Sequence, residues 1–158
     1  MEMNLHDLTR YIIKKYPNKS HLSKARLNKL IYLIDWKSSL DYESQISDIH
    51  WFFNHYGPYV DDIETRLLFD DRFDIEKTTN YFGGEKNIIK LVNDKNFNKP
   101  NKKQKKIIDL VINLTKNMDW NKFINTVYST YPIKYSERGE YLNLIELAKQ
   151  YKQQKEDN

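Results

Sequence analysis

Cysteine is absent from all 158 residues, which removes disulfides, thiol catalysis and zinc–thiolate sites together and fits a reducing compartment. No segment approaches the ~18 consecutive apolar residues of a membrane-spanning helix. The N-terminal MEMNLHDLTR has no apolar run that would act as a signal peptide, so the expected location is cytoplasmic, with no membrane partner. HExxH, GxSxG and phosphate-binding glycine loops are also missing. Arginine is scarce, at 5 against 21 lysines, whereas readout of base edges favours the bidentate guanidinium. The net charge of +4 therefore does not by itself name a nucleic acid. Sixteen Asn and sixteen Ile accompany the lysines, an excess that an AT-rich coding sequence produces.

What is present is a folded-protein composition, 39% apolar and 14% aromatic with twelve tyrosines. A chain of this length suits one domain, since folding buries roughly 70% of the unfolded surface. The expected boundaries are 1–151 for that domain and 152–158 for a frayed, charged tail. No internal repeat or low-complexity linker interrupts it.

The organising stretch is Leu27–Leu40, LNKLIYLIDWKSSL. Leu27, Leu30, Ile31 and Ile34 form one helical stripe, and Tyr32, Leu33, Trp36 and Leu40 lie roughly opposite. Lys29, Asp35 and Lys37 bring the only charges into that apolar cover. A helix that is apolar on two sides is one that other elements surround.

Around it, Leu5, Leu8, Ile12 and Tyr16 give a first helix over about 4–16, stopped by Pro17. Ser20 or Ser23 caps the central helix, and Asp41–Asp48 is a loop. Ile49, Trp51 and Phe53 alternate as a short extended segment, and Gly57-Pro58 signals a turn. Pro58 is expected to open a helix to about Phe69, with Asp61 and Asp62 at its N-terminus and Val60, Ile63, Leu67 and Leu68 as its stripe. Phe73–Tyr81 and Asn87–Val92 flank Gly83-Gly84 as a β-hairpin. A helix with Ile107, Leu110, Val111, Leu114 and Met118 follows, then one capped by Asp119 and ended by Pro132. A last helix starts near Gly139 and carries Tyr141, Leu144, Ile145 and Ala148. The fold class is thus α+β, mainly α-helical: a single helical domain around a central helix with one β-hairpin.

Spacing assembles no catalytic set. His50 and His55 do not share a face on a strand or a helix, so they do not make a metal site. No catalytic residue, metal or cofactor is expected, and no enzyme activity. His55 with Asp61 and Asp62 is one local acid–base grouping; a helix N-terminus bearing acids accounts for the same residues. Lys99, Lys102, Lys103, Lys105 and Lys106 put five cations in eight residues. In a first helical turn they oppose the macrodipole, and a nucleic-acid phosphate backbone is the alternative partner they point to; a solvated lysine-rich face is the simpler account. The aromatic surplus points to protein binding, because Tyr and Trp dominate interface hot spots. Trp36 and Phe53 are expected in the core. Trp51, His55, Tyr56, Tyr59, Asp61 and Asp62 are the expected partner-binding corner, with Tyr56 and Tyr59 bordering a groove. Tyr128, Tyr131 and Tyr135 form a second aromatic corner.

LNKLIYLIDW at Leu27–Trp36 followed by HYGPYV at His55–Val60 resembles the Panacea (SocA-like) antitoxin domain family, whose members are also labelled phage-associated. The likeness lies in an L-x-K-L-hydrophobic-Tyr helix (Leu27, Lys29, Leu30, Tyr32) and a Gly-Pro about twenty residues later (Tyr56, Gly57, Pro58). Many members carry a His and a Pro-Trp near the domain's end, where this chain has Ser129–Pro132. The resemblance implies a mostly helical domain that neutralises a cognate toxin or other target protein by binding it. It also implies that a host protease or host factor is a further partner of some members.

Overall fold

The computed structural model describes residues 1–79 and 83–157. At its centre is α2 (Lys24–Tyr42), capped by Ser23, whose side chain accepts from the Arg26 N–H. Every residue from Arg26 to Trp36 is buried, as the two-sided apolar pattern predicts. The helix ends at Glu43, which takes a left-handed φ of 53° and donates its N–H to Ser39.

α1 (Leu5–Lys15) buries Leu5, Leu8, Ile12 and Ile13 and stops before Pro17. The hairpin β3 (Phe73–Thr79) and β4 (Glu85–Leu91) pairs antiparallel from Phe73↔Leu91 to Thr79↔Glu85. The Ile89 N–H, donated to the Leu22 carbonyl, hooks it to the entry of α2. The Tyr81 end of the predicted alternation lies outside the described residues. The fold is mainly α-helical with small antiparallel sheets, as the sequence pattern predicts.

Several expectations are corrected. Gly57-Pro58 is not the turn that opens a helix: it is strand β2, paired with β1 (Trp51–Asn54) in the register Phe53↔Pro58. Proline fits there because β2 is the edge of its sheet, where a missing N–H breaks no ladder. The helix α3 starts later (Asp62–Leu68) and buries Ile63 and Leu67, leaving Leu68 exposed. In α4 (Lys102–Thr115) the buried arc is Gln104, Ile107, Ile108, Val111, Ile112 and Thr115, so Leu110 and Leu114 stand on the outer face. The apolar residues of α4 span more than one face, and packing selects the arc.

Further corrections concern the C-terminal part. α5 (Trp120–Tyr128), capped by Asp119, ends before Pro132, which instead lies in the first turn of the short α6 (Tyr131–Lys134). Tyr141 is not helical. It forms β5 with Leu142, paired to β1 opposite β2. α7 begins at Leu144, capped by Asn143, and continues through the charged 152–156 segment to Glu156. No helix of the described residues is long and apolar enough to cross a membrane.

The polar centre of the core is Asp35, fully buried. Its Oδ1 accepts the backbone N–H groups of Ile46 (2.9 Å) and Ser47 (2.8 Å). Its Oδ2 accepts from the Ser47 hydroxyl, from Trp51 Nε1 at 2.9 Å and from Gln45 Nε2 at 3.4 Å. Burial pushes this carboxyl up from 3.8 to about 6, against the opposing pull of the Ser47, Trp51 and Ile46 hydrogen bonds. The folded state therefore holds the Asp35 proton more tightly than the unfolded chain. Its contribution to stability is full below the unfolded value and is lost as pH rises through the folded one, by about 3 kcal/mol for a shift of this size. Asp70, pulled down by Arg72, and Asp94, pulled down by Arg10, act in the opposite sense below 3.8, and His21, pushed down from 6.5 by burial, opposes Asp35 nearer neutrality, so the difference between parent and Asp35→Asn isolates the carboxyl.

Urea unfolding across pH is thus expected to show a decline in stability between about pH 4 and pH 6.5. Asp35→Asn should remove that slope. It should also cost about 2–4 kcal/mol at neutral pH, because an amide aims its own N–H at the Trp51 indole donor or at the Ile46 and Ser47 amides. An unaltered slope in the variant would place the titration on another group.

Candidate functional site

The β1–β2 connection builds an exposed corner from short-range chemistry. Asn54 Oδ1 accepts the Tyr56 N–H at 2.7 Å, closing a side-chain turn that carries His55 and Tyr56 at its tip. Tyr56 is 73% exposed. Gly57 has φ +84°, a left-handed conformation that side chains rarely adopt, and a Cβ there would stand 3.1 Å from Tyr128 Oη. The Gly57 backbone thus rests against the end of α5.

The exit from the corner is fixed by α2. Asn28 Nδ2 donates to the Val60 carbonyl at 2.8 Å, and Asn28 Oδ1 accepts the Val60 N–H at 3.3 Å. Between Gly57 and Val60, the Tyr59 ring is half-buried and lies 5.6 Å from Lys29 Nζ. Lys24 pairs with Glu64 at 2.8 Å beside it. One turn further along α2, the buried Tyr32 hydroxyl sits 2.8 Å from Thr130 Oγ1, and its ring meets Trp51 edge-on at 5.5 Å. The Leu27–Tyr32 segment, the Gly-Pro strand and the end of α5 therefore converge.

Of the predicted corner residues, His55, Tyr56, Asp61 and Asp62 are exposed and Tyr59 is half-buried. Trp51 is a correction. It is fully buried and hydrogen-bonded to Asp35, so it anchors the corner from inside and presents nothing to a partner. His55 does not join the acids: Asp62 pairs with Arg66, which also holds Asp48 at 2.7 Å. Trp36 and Phe53 are core, as expected. Tyr131 stacks on the exposed Tyr135 at 4.5 Å, while Tyr128 belongs to the Gly57 contact, so the second aromatic corner abuts the first.

The five lysines of 99–106 are divided. Lys105 pairs with Asp109 at 2.9 Å and Lys103 lies 5.2 Å from the Tyr42 ring, while Lys99, Lys102 and Lys106 are exposed and have no ion-pair partner among the described residues. A capping box between Asn101 and Gln104 satisfies first-turn donors of α4. Elsewhere, a cleft of 890 Å³ lined by Gln45, Asp48, His50 and Tyr141 contains no residue of Gly57–Val60. Among the described residues no group of three His, Asp or Glu is placed to hold a metal ion.

Asn28, Lys29 and Asp35 escaped the sequence reading as site-forming residues. Their signal was available, since each is a polar residue inside a helix that is otherwise apolar on both sides.

Residues 27–132 match the family model described as antitoxin SocA-like, Panacea domain, a span covering more than half of the chain and reaching from α2 to α6. No curated protein and no solved structure matches the chain.

Gly57→Val combines left-handed strain with a clash on the Tyr128 ring, and should cost about 2–3 kcal/mol in urea unfolding. Pairing it with Tyr128→Ala should recover part of that loss, the part due to contact, and leave the backbone part. Additive losses in the double variant would show that the two residues do not press on each other.

Proposed function

The chain belongs to the SocA-like Panacea antitoxin domain family, and from that membership we propose that it acts by binding a protein, neutralising a toxin or another target without turning over a substrate. The observation that carries this reading is the family match, which covers α2 from Leu27 onward and the whole Gly57–Val60 corner. The corner supplies a suitable surface. Tyr56 and Tyr59 offer aromatic area, and His55, Asp61 and Asp62 provide a hydrated polar rim around it, the anatomy of a specific interface.

Its stiffness also favours binding. The Asn54 side-chain turn, the Asn28 clamp on Val60 and the Gly57–Tyr128 contact hold the loop in one shape. A loop already ordered loses little conformational entropy on association, which leaves more of the contact energy as affinity. Direct contact with the partner at this corner is sufficient for neutralisation if it covers the target's own working surface.

Co-expression with the product of the neighbouring open reading frame, followed by pull-down, tests the reading. Capture of a protein partner is the expected result; turnover of a substrate with no protein captured would overturn it. Tyr56→Ala should weaken that capture by about 1–2 kcal/mol, the range of an interface hot spot. Because Tyr56 is mostly exposed, its stability should move by no more than about 0.5 kcal/mol. Isothermal calorimetry and urea melts on the same preparation separate the two effects. Normal binding by a folded Tyr56→Ala would move the interface to the neighbouring Tyr131–Tyr135 face.

A further inference from the structure

Lys29 is 3% exposed and has no hydrogen-bond or ion-pair partner among the described residues; its one neighbour of note is the Tyr59 ring face, 5.6 Å from Nζ. The other sheltered cations are handled differently. Arg26 donates to the Tyr16 hydroxyl at 3.0 Å and to the Met118 carbonyl at 3.2 Å. Lys24 has Glu64, and Arg72 has Asp70.

An ammonium taken out of water costs several kcal/mol unless a counter-charge and hydrogen bonds replace its hydration. A desolvated aromatic face returns only about 2 kcal/mol. Burial accordingly lowers the Lys29 amine to about 8, and no carboxylate opposes that shift. The acids nearest this corner do not serve it, since Glu64 is engaged by Lys24, and Asp61 and Glu64 act on Tyr59 and Lys24. Among the described residues, the enclosed side-chain polar atoms that lack partners are Thr9 Oγ1, Ser38 Oγ and Asn87 Oδ1. Lys29 Nζ is not among these fully enclosed atoms.

We propose that Lys29 is the receptor for a side-chain carboxylate of the protein partner, taken beside Tyr59 at the base of the Gly57–Val60 corner. This rests on the protein-binding reading above. A carboxylate oxygen there completes the charge pair, forms a charge-assisted hydrogen bond in a partly desolvated site and keeps Nζ protonated. Tyr59, which stacks on the ammonium in the free protein, becomes the wall of the occupied site. The partner segment that fits is one presenting an Asp or Glu next to an apolar side chain that lies against Tyr56.

The test uses the full chain with lysine labelled at Cε with ¹³C, followed by NMR during titration with sodium acetate, inorganic phosphate or sodium chloride at constant ionic strength. The expected result is a saturable shift of the Lys29 resonance with acetate and a rise of its titration midpoint above 8, with chloride and phosphate weaker. Lys29→Met should abolish the saturable response and melt no lower than the parent, because it removes a buried charge that holds no structural partner. A Lys29 resonance silent to acetate, or one that answers phosphate in preference, overturns the proposal, and the parent protein alone decides this if Lys29→Met fails to fold. No partner protein enters the titration, so a silent Lys29 leaves the pull-down to judge protein binding. A responsive Lys29 with nothing captured counts against the protein-binding reading alone.

Discussion

The Asp35 carboxylate gathers its donors from one short stretch, residues 45–51, and in doing so folds that stretch back onto α2. Two of the donors are backbone N–H groups and one is the indole of Trp51, the first residue of β1. β1 in turn carries β2 on one side and β5 on the other. The small sheet, and with it the Gly57–Val60 corner, thus hangs from a single buried anion. Such a group is expensive to bury, and hydrophobic replacements of buried ionic networks are often as stable. What hydrophobic packing does not supply is register: five donors aimed at two oxygens admit one path for the chain between Gln45 and Trp51.

The same face of α2 positions the rest of the corner. Asn28, Tyr32 and Asp35 are spaced i, i+4 and i+7, which places them within one narrow sector of the helix. Asn28 clamps Val60, Tyr32 meets both Thr130 and Trp51, and Asp35 holds the loop before β1. Polar atoms at regular helical spacing thus fix the extended segment that passes over the helix, and the apolar residues between them bind the remaining elements. A surface loop referenced to a rigid helix at three successive turns keeps its shape without a ligand.

The helices and the β3–β4 hairpin were legible because each repeats its apolar period over enough residues to define a face. The sheet β2–β1–β5 was not, because its strands are two to four residues long and alternation over so few positions carries little information. Pro58 shows the ambiguity: a proline after a glycine suits the first turn of a helix and the edge of a sheet equally, and only pairing with Phe53 separates them. Trp51 was misplaced for a related reason. An indole in an aromatic run suits an interface or a core, and its fate is set by an acceptor sixteen residues earlier. Tyr56 stands in solvent because a tight turn must leave its tip there.

Lys29 and Asp35 are opposite charges buried on one helix, and their spacing prevents mutual neutralisation. Side chains pair along a helix at i+3 or i+4. A separation of six residues instead places them about 9 Å apart along the axis and on different sides. Each must then find its partner elsewhere. Asp35 finds a full set within the chain, and its surroundings are consequently rigid and closed. Among the described residues Lys29 finds only an aromatic face, at a corner whose backbone is already clamped by Asn28 and pressed on Tyr128. The shell of one buried charge is completed within the chain, whereas among the described residues no ion pair completes the other.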